Sequence, residues 1–455
     1  MLIIKEMDDD ATLKRLQEVC REYNPVEHGG ERLQCCLMLQ DAATLWLLRR
    51  EGLSEWVTER ADVLATTVED LLAKNVLVRL PNAEHLFPPL DCRPISFDSE
   101  ERVHLVIFGS GAMAEAFMVN AAQVAHYPNY CRDTRLRTRI TVVDSEVMAL
   151  RNRMLQRYGE LFEHSFHRVI DLVQPEPVPV LHRPKYDGRR RDFVDIEWEF
   201  VKGSCASEAV RQKLAEWSED EEQQLTVAIC REKKAENTEQ AFSLPEEVYR
   251  NDVTVFCLAS PEGVSGVVGG CKNVYSFDEG IASVATLETL KRMAMGVNYV
   301  YNHAFAIPEG EAVTAPAEID RQDMQRQWDA LRSFTKESSN LCHAMSLGTK
   351  LHSMGLSVED WDDYFALTVE EMEVLAEVEH NRWSVEELML GYRPVTDEEQ
   401  KAVEKDIELK GELRKRKVHY DLRAYDELGR DATGKNVNVY DMALVQGIPL
   451  ILKEV

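Results

Sequence analysis

The chain has 455 residues, 44% of them hydrophobic, which is enough for about three domains with cores of their own. Lys and Arg number 53 against 80 Asp and Glu, a formal charge of −27. Such a surplus repels phosphate backbones and anionic lipid, excluding duplex nucleic acid and a membrane surface as partners of the chain as a whole; a polyanion would have to enter a local basic pocket.

The opening MLIIKEMDDD turns acidic at once and lacks the basic start of a signal peptide, and no run approaches the ~18 apolar residues of a spanning helix. A soluble, cytoplasmic protein is expected. Ten cysteines without a CxxC pair, several in apolar runs such as LTVAIC and VTVFC, read as reduced, buried thiols rather than a disulfide or zinc framework.

Residues 1–100 read as helical, with apolar positions at Leu13, Leu16, Val19 and Cys20, then Met38, Ala42, Leu45 and Leu48. A proline-rich linker closes the segment. From Val103 the pattern changes to short β-branched and aromatic runs: 103–108, 139–144, 193–201, 225–230, 253–259 and 273–277. Helical stretches separate them, including Met113–Val124 and Val147–Phe166. This alternation predicts an α/β, Rossmann-like, doubly wound parallel sheet over 101–306. The long gap before the third run holds a basic island, 188–191. A helix is expected from Ser283 to about His303, then a linker, then a mainly helical segment over 320–455.

The first strand runs into Gly109-Ser110-Gly111-Ala112-Met113-Ala114, a GxGxxA opening a helix. There the first glycine permits a tight turn, the second admits a pyrophosphate, and the helix N-terminus faces the anion. The alternative is a turn that needs glycine only for packing. Asp144 ends the second strand, where a carboxylate receives a ribose hydroxyl pair and repels a 2'-phosphate, favouring NAD or a related adenine dinucleotide; it could equally be a helix N-cap. Ser260 to Gly266 follows the fifth strand at the same edge of the sheet. On the β-GxGxxA-α unit and the expected strand order, residues 101–280 resemble the NAD-binding regulatory domain of potassium-uptake proteins, the KTN or TrkA-N type. That resemblance implies nucleotide sensing and pairing rather than hydride transfer. The long helix from Ser283, with Leu287, Leu290, Met293, Met295 and Val297, carries more apolar positions than one face needs, so a homo-oligomer is expected.

In LAEVEHNRW (375–383), Ala376, His380, Trp383 and Glu387 follow 4-3-4 spacing and share one helix face. Leu375, Val378, Val385 and Met389 are a core stripe, and Arg382 lies between the two faces with a fork suited to a phosphate. With Glu337-Ser338-Ser339-Asn340, Lys350-Leu351, Gly355, the helix closing in Gly391-Tyr392, and a final stretch with His419, Leu422, Leu428, Asp441 and Ile448-Pro449, residues 325–455 resemble the ryanodine-receptor repeat, or RyR domain. Tyr392 departs from the family's usual tryptophan, as does the charged stretch that follows it, ending in basic Arg414 to Lys417. Prokaryotic fusions of these two domain types resemble components of nucleotide-signalled stress or antiviral systems. The resemblance implies that the RyR domain binds an ADP-ribose or cyclic-nucleotide messenger. Trp383 or Tyr392 would stack a base, Arg382 and residues near Lys417 would hold phosphates, and Asn340, His380 or His419 would read polar edges. Alternatively Trp383, His380 and Glu379 only hold helices together.

The sequence has no GxxxxGK[ST], HExxH or GxSxG, and no metal site or catalytic residue stands out. The expected function is a nucleotide-responsive receptor binding a small-molecule nucleotide. An NAD-dependent oxidoreductase and a ligand-free scaffold are the alternatives.

Overall fold

The structure, a computed structural model, describes residues 1–83, 86–174, 176–184, 192–262, 272–431 and 434–454. The basic island 188–191 and Gly263 to Gly266 of the loop after Ser260 lie outside the described residues.

Residues 1–100 are not all helical. Strands β1 (Leu2–Ile4), β2 (Leu33–Leu39) and β3 (Ala61–Thr67) form a three-stranded parallel sheet in the order β1-β2-β3. They alternate with helices α1 (Asp9–Glu22), α2 (Ala42–Glu51) and α3 (Val68–Leu77). The stripe through Leu13, Leu16, Val19 and Cys20 lies on α1, but the periodicity that joined Met38 to α2 crosses a strand end: LQCCLML is a continuous apolar run, which a buried parallel strand shares with a helix. Arg32, 2% exposed at its side chain, bonds Glu337 Oε1 at 3.0 Å and the Trp328 carbonyl at 3.0 Å, while Trp328 Nε1 donates to Asp62 at 2.9 Å. A buried cation from the loop before β2 thus ties this sheet to the C-terminal helices.

The large sheet contains β4 (Arg102–Phe108), β5 (Thr138–Asp144), β6 (Phe166–Asp171), β7 (Val180–His182), β8 (Ile196–Lys202), β9 (Gln223–Ile229), β10 (Thr254–Leu258) and β11 (Val274–Phe277). Their spatial order is β11-β10-β9-β4-β5-β8-β6-β7, all parallel except the edge pair β6–β7. The chain moves outward from β4 through β5 to β6 and the edge strand β7, comes back to insert β8 between β5 and β6, and then crosses to β9 on the other side of β4, so the strand order reverses between β4 and β9. The expected helix to Phe166 instead ends earlier, with α5 at Val147–Arg157 and a short helix at Gly159–His164. Phe166 opens β6, because its backbone pairs in register with Glu197 of β8.

Alternation divides the sheet's side chains. Leu105, Ile107, Ile140, Val142, Trp198 and Phe200 face α4 (Ala112–Val124) and α5; Val106, Phe108, Val227, Ile229 and Val255 face α6 (Glu208–Glu219) and its neighbours. Both faces are therefore dry, as a parallel sheet requires.

The remainder is α8 (Val284–Ala306), α9 (Arg321–Leu331), α10 (Phe334–Ser353), α11 (Val369–Met389), α12 (Asn438–Gln446) and α13 (Ile448–Lys453), α7 being Lys234–Ala241. A capping box between Thr368 and Glu371 starts α11, whose first turn is exposed and which is buried on nearly every side from Leu375 onward. One hydrophobic core runs from α3 through α4 and the sheet face to α8, α10, α11 and α13. Leu287, Leu290, Met293, Met295 and Val297 are all buried inside the chain, so the apolar surplus of α8 supplies no argument for a second copy. Among the described residues no helix is long and apolar enough to cross a membrane.

Candidate functional site

The glycine loop lies where the strand order reverses. Gly109 has φ +121°, and a Cβ there would stand 2.8 Å from the Cys230 carbonyl oxygen at the end of β9, so only glycine fits. Gly111 differs. Its φ is −84°, and an added Cβ would meet nothing nearer than Glu232 Cγ at 3.6 Å and its Oε1 at 3.7 Å. The first glycine is thus required by packing, whereas at the second a Cβ would only come into ordinary contact with the Glu232 side chain. Ser110 is half-buried, and its carbonyl accepts from Arg153 Nη2 at 2.8 Å; Ala112 is exposed at the first helical position and Met113 is buried beneath it. Arg157 pairs with Glu115 in the helix's first turn.

Asp144 is half-buried at the end of β5. Its Oδ1 accepts from Glu146 N at 2.7 Å, two residues on, and Glu146 is the N-cap of α5, so Asp144 holds a turn instead of capping the helix. Ser260 is exposed just beyond the end of β10, on the same edge. Arg231 and Lys233 follow β9 and both pair with Glu236. A cavity of about 850 Å³ lies at the other, amino-terminal edge of the sheet, lined by Arg93, Glu101, Asp220, Gln224 and Arg250, and no sequence-predicted site residue borders it.

On α11 the structure gathers most of the C-terminal candidates. His380 and Trp383 have ring centroids 5.4 Å apart; Trp383 meets His419 edge-on at 4.8 Å, and Tyr392 meets the same histidine at 6.0 Å. Lys417 Nζ lies 4.7 Å over the Tyr392 ring and donates to the Arg50 carbonyl at 2.8 Å, so the N-terminal sheet unit borders this wall. Lys417 has φ +56°, a left-handed conformation unusual for a residue with a side chain. Arg414 is exposed and interacts with both Glu387 and Tyr392.

The electrostatics of the wall follow burial. Desolvation pushes His419 well below the ordinary imidazole value, assisted by Arg414 and Lys410, so it is neutral. Burial also lowers His380, but its hydrogen bond and attraction to Asp441 more than compensate, and its Nε2 contacts the Arg423 carbonyl at 2.8 Å. Glu387 shares the His380–Trp383 face, and burial pushes its carboxyl up to about 7 against the pull of Arg414 and Lys417. A carboxyl raised in the folded state holds a proton that the unfolded chain releases, so its contribution to stability falls as pH rises from about 4.5 toward about 7. Glu387→Gln should flatten that part of the stability profile, as read by urea midpoints across the interval; an unchanged slope would assign the titration elsewhere.

Two candidates are not part of the wall. Arg382, expected to grip a phosphate, is 2% exposed and fully engaged: Nε and Nη2 bond Glu379 at 2.8–3.0 Å, and Nη1 bonds Glu386 at 2.7 Å. Glu379 also receives Lys350 at 2.9 Å and stands 2.7 Å from His343 Nδ1. The guanidinium therefore neutralises buried acids and presents no edge to a ligand. Asn340 is half-buried on α10, whose Ser339 and His343 face this ionic side of α11, away from the aromatic face.

A second buried network joins the N-terminal unit to the glycine loop's helix. Asp70 accepts from Arg49 at 2.9 Å, Lys74 at 2.6 Å, Thr66 Oγ1 at 2.9 Å and Asn120 of α4 at 3.1 Å. Nothing in the sequence pattern flagged these residues, which sit singly within apolar runs. Glu387 was legible, standing at helical spacing from His380 and Trp383.

No family model, curated protein or solved structure matches the chain. Among the described residues no group of three His, Cys, Asp or Glu is arranged to hold a metal.

Proposed function

We propose that the chain is a cytoplasmic, nucleotide-responsive receptor with two binding regions. One is a Rossmann-like, doubly wound domain holding NAD or a related adenine dinucleotide at the Gly109–Met113 loop, with Asp144 toward the ribose. The other is an RyR-type helical domain holding a signalling nucleotide against Trp383, Tyr392, His380 and His419. The observation that carries this reading is the aromatic wall itself: an indole and a phenol that both meet a neutral imidazole, with Arg414 and Lys417 beside them. Aromatic faces stack any base, and cations at the rim suit its phosphates. Strand order supports the first region, since ligands of open parallel sheets bind at the carboxyl ends where the order reverses. The resemblance read from the sequence would put such a receptor in stress or antiviral signalling.

The test is calorimetry of the full chain with NAD, ADP-ribose, cyclic ADP-ribose and a cyclic dinucleotide, against two variants. Gly111→Val puts a branched side chain at the start of α4 against only the flexible Glu232 side chain and no backbone, so it should retain the wild-type melting temperature and lose dinucleotide binding at the loop. Trp383→Ala should weaken the C-terminal ligand by ~1–3 kcal/mol, the scale of one base stacked on an aromatic ring. A folded wild type that binds none of the four compounds would overturn the receptor reading.

A further inference from the structure

The aromatic wall contains one polar group whose hydrogen bonding is incomplete. Glu387 is 4% exposed, and its Oε2 is buried with no hydrogen-bond partner among the described residues. Buried carboxyl oxygens are rarely left so, because the lost hydration is uncompensated. Helical spacing puts Glu387 on the face that carries His380 and Trp383, Tyr392 N donates to its backbone carbonyl, and its carboxyl interacts with Tyr392, Arg414 and Lys417, the groups that border the wall.

We propose that Glu387 reads the base held by this wall, and that the base is adenine, through one hydrogen bond donated to N1 and one accepted from the 6-amino group. The proposal rests on the nucleotide reading of the same wall. A neutral carboxylic acid offers one O–H donor and one carbonyl acceptor side by side, which complements the acceptor–donor pair of adenine's Watson–Crick edge. An ionised carboxylate offers acceptors only and complements guanine, whose N1–H and 2-amino group are both donors. The neighbours of Glu387 decide between them. Arg414 and Lys417 from the segment after α11 favour the ionised form; burial and the adjacent Glu386 oppose it, with Arg382 on the same helix acting weakly in the other direction. His419, facing the wall, is neutral, and Arg50 and Glu51 approach through Lys417 from the N-terminal unit with opposite signs. The balance leaves the carboxyl protonated over much of the range up to about pH 7.

The experiment is calorimetric titration of the full chain with AMP and with GMP between about pH 6 and about pH 8.5. Trp383→Ala serves as the site control and Glu387→Gln as the proton-independent mimic, since a glutamine amide carries the same donor and acceptor at every pH. Wild type should prefer AMP, and its AMP affinity should fall by up to about tenfold per pH unit once the acid ionises. Glu387→Gln should keep the AMP preference with a flat pH profile, and Trp383→Ala should weaken AMP by roughly 5- to 150-fold, the loss of one stacked base. GMP binding tighter than AMP, a pH-independent AMP affinity in wild type, an unchanged slope in Glu387→Gln or an AMP affinity unchanged in Trp383→Ala would each overturn the assignment and leave nucleotide binding as such intact. Binding of neither nucleotide would overturn both. The wild-type comparison needs no variant to fold.

Discussion

Replacing Arg382 with alanine is expected to destabilise the folded chain by about 3–5 kcal/mol and to change nucleotide affinity little in the protein that remains folded. The magnitude follows from what the substitution strands. Arg382 is the shared cation of Glu379 and Glu386, and all three are buried. Glu379 would keep Lys350 at 2.9 Å and His343 at 2.7 Å, so its loss is partial. Glu386 would retain only weaker partners such as Ser339, and burial already pushes its carboxyl up, so in the variant it takes a proton. That neutralisation caps the cost near the lower end of the range at low pH. Its contribution then falls as pH rises above the ordinary carboxyl value, because the unfolded chain releases the proton first. Urea denaturation at about pH 5 and about pH 8 measures both effects. Arg382→Lys should recover part of the loss, since a single ammonium satisfies one acid but lacks the fork that reaches both. A melting temperature unchanged from wild type, together with lost ligand binding, would restore Arg382 as a phosphate contact.

The fate of Arg382 shows where sequence reading stops. Spacing within one helix puts Arg382 between an apolar stripe and a polar face, and a solvent-facing arginine there would be a natural anion contact. What decides its role is α10, whose His343 and Lys350 converge on Glu379 from another element, and no periodicity within 369–389 contains that information. The same limit explains the N-terminal sheet. A doubly buried parallel strand such as β2 is an unbroken apolar run, and its distinction from a helix lies in its register with β3, Cys35 opposite Val63 and Leu37 opposite Ala65, which are non-local facts. Six strands of the large sheet were legible because β-branched runs alternate with helices at crossover distance, and so was the Gly109 turn; β6 and β7, an antiparallel edge pair in the long gap before β8, were not. The aromatic face of α11 was legible for a similar reason: His380, Trp383 and Glu387 are local neighbours, and the helix needs only to form for them to meet. His419 and Tyr392 joined that group through the family resemblance rather than through spacing.

Asp70→Ala should be the second large effect, about 3 kcal/mol or more, and it tests whether the N-terminal unit and the glycine-loop helix behave as one body. Asp70 is the common acceptor of Arg49, Lys74, Thr66 and Asn120, and its carboxyl is held well below the usual carboxylate range by Arg49 and Lys74 in spite of burial. The two cations fare differently without it. Arg49 is 21% exposed at its side chain and can turn toward water, so its share is small. Lys74 is 6% exposed, and burial already lowers its ammonium to about 8; without its counter-ion it deprotonates, which replaces the cost of a buried charge with that of a buried amine. Lysine lowered in the folded state makes stability rise with pH, because the unfolded chain binds the proton more tightly. In wild type the rise should run from about 8 toward the ordinary value of 10.5, and in Asp70→Ala it should begin at lower pH. Asn120 loses its side-chain partner across the unit boundary but keeps the Ala116 carbonyl at 2.9 Å, so α4 should remain helical while its amides near Asn120 exchange faster with solvent. Chemical denaturation against pH, paired with amide hydrogen exchange over 112–124, reads both consequences. A single cooperative unfolding transition in which α3 and α4 lose protection together supports one body. Protection of α4 unchanged while α3 opens would mean that the Asp70 network stabilises the N-terminal unit alone, and the buried contacts between the two would then carry no coupling to the glycine loop.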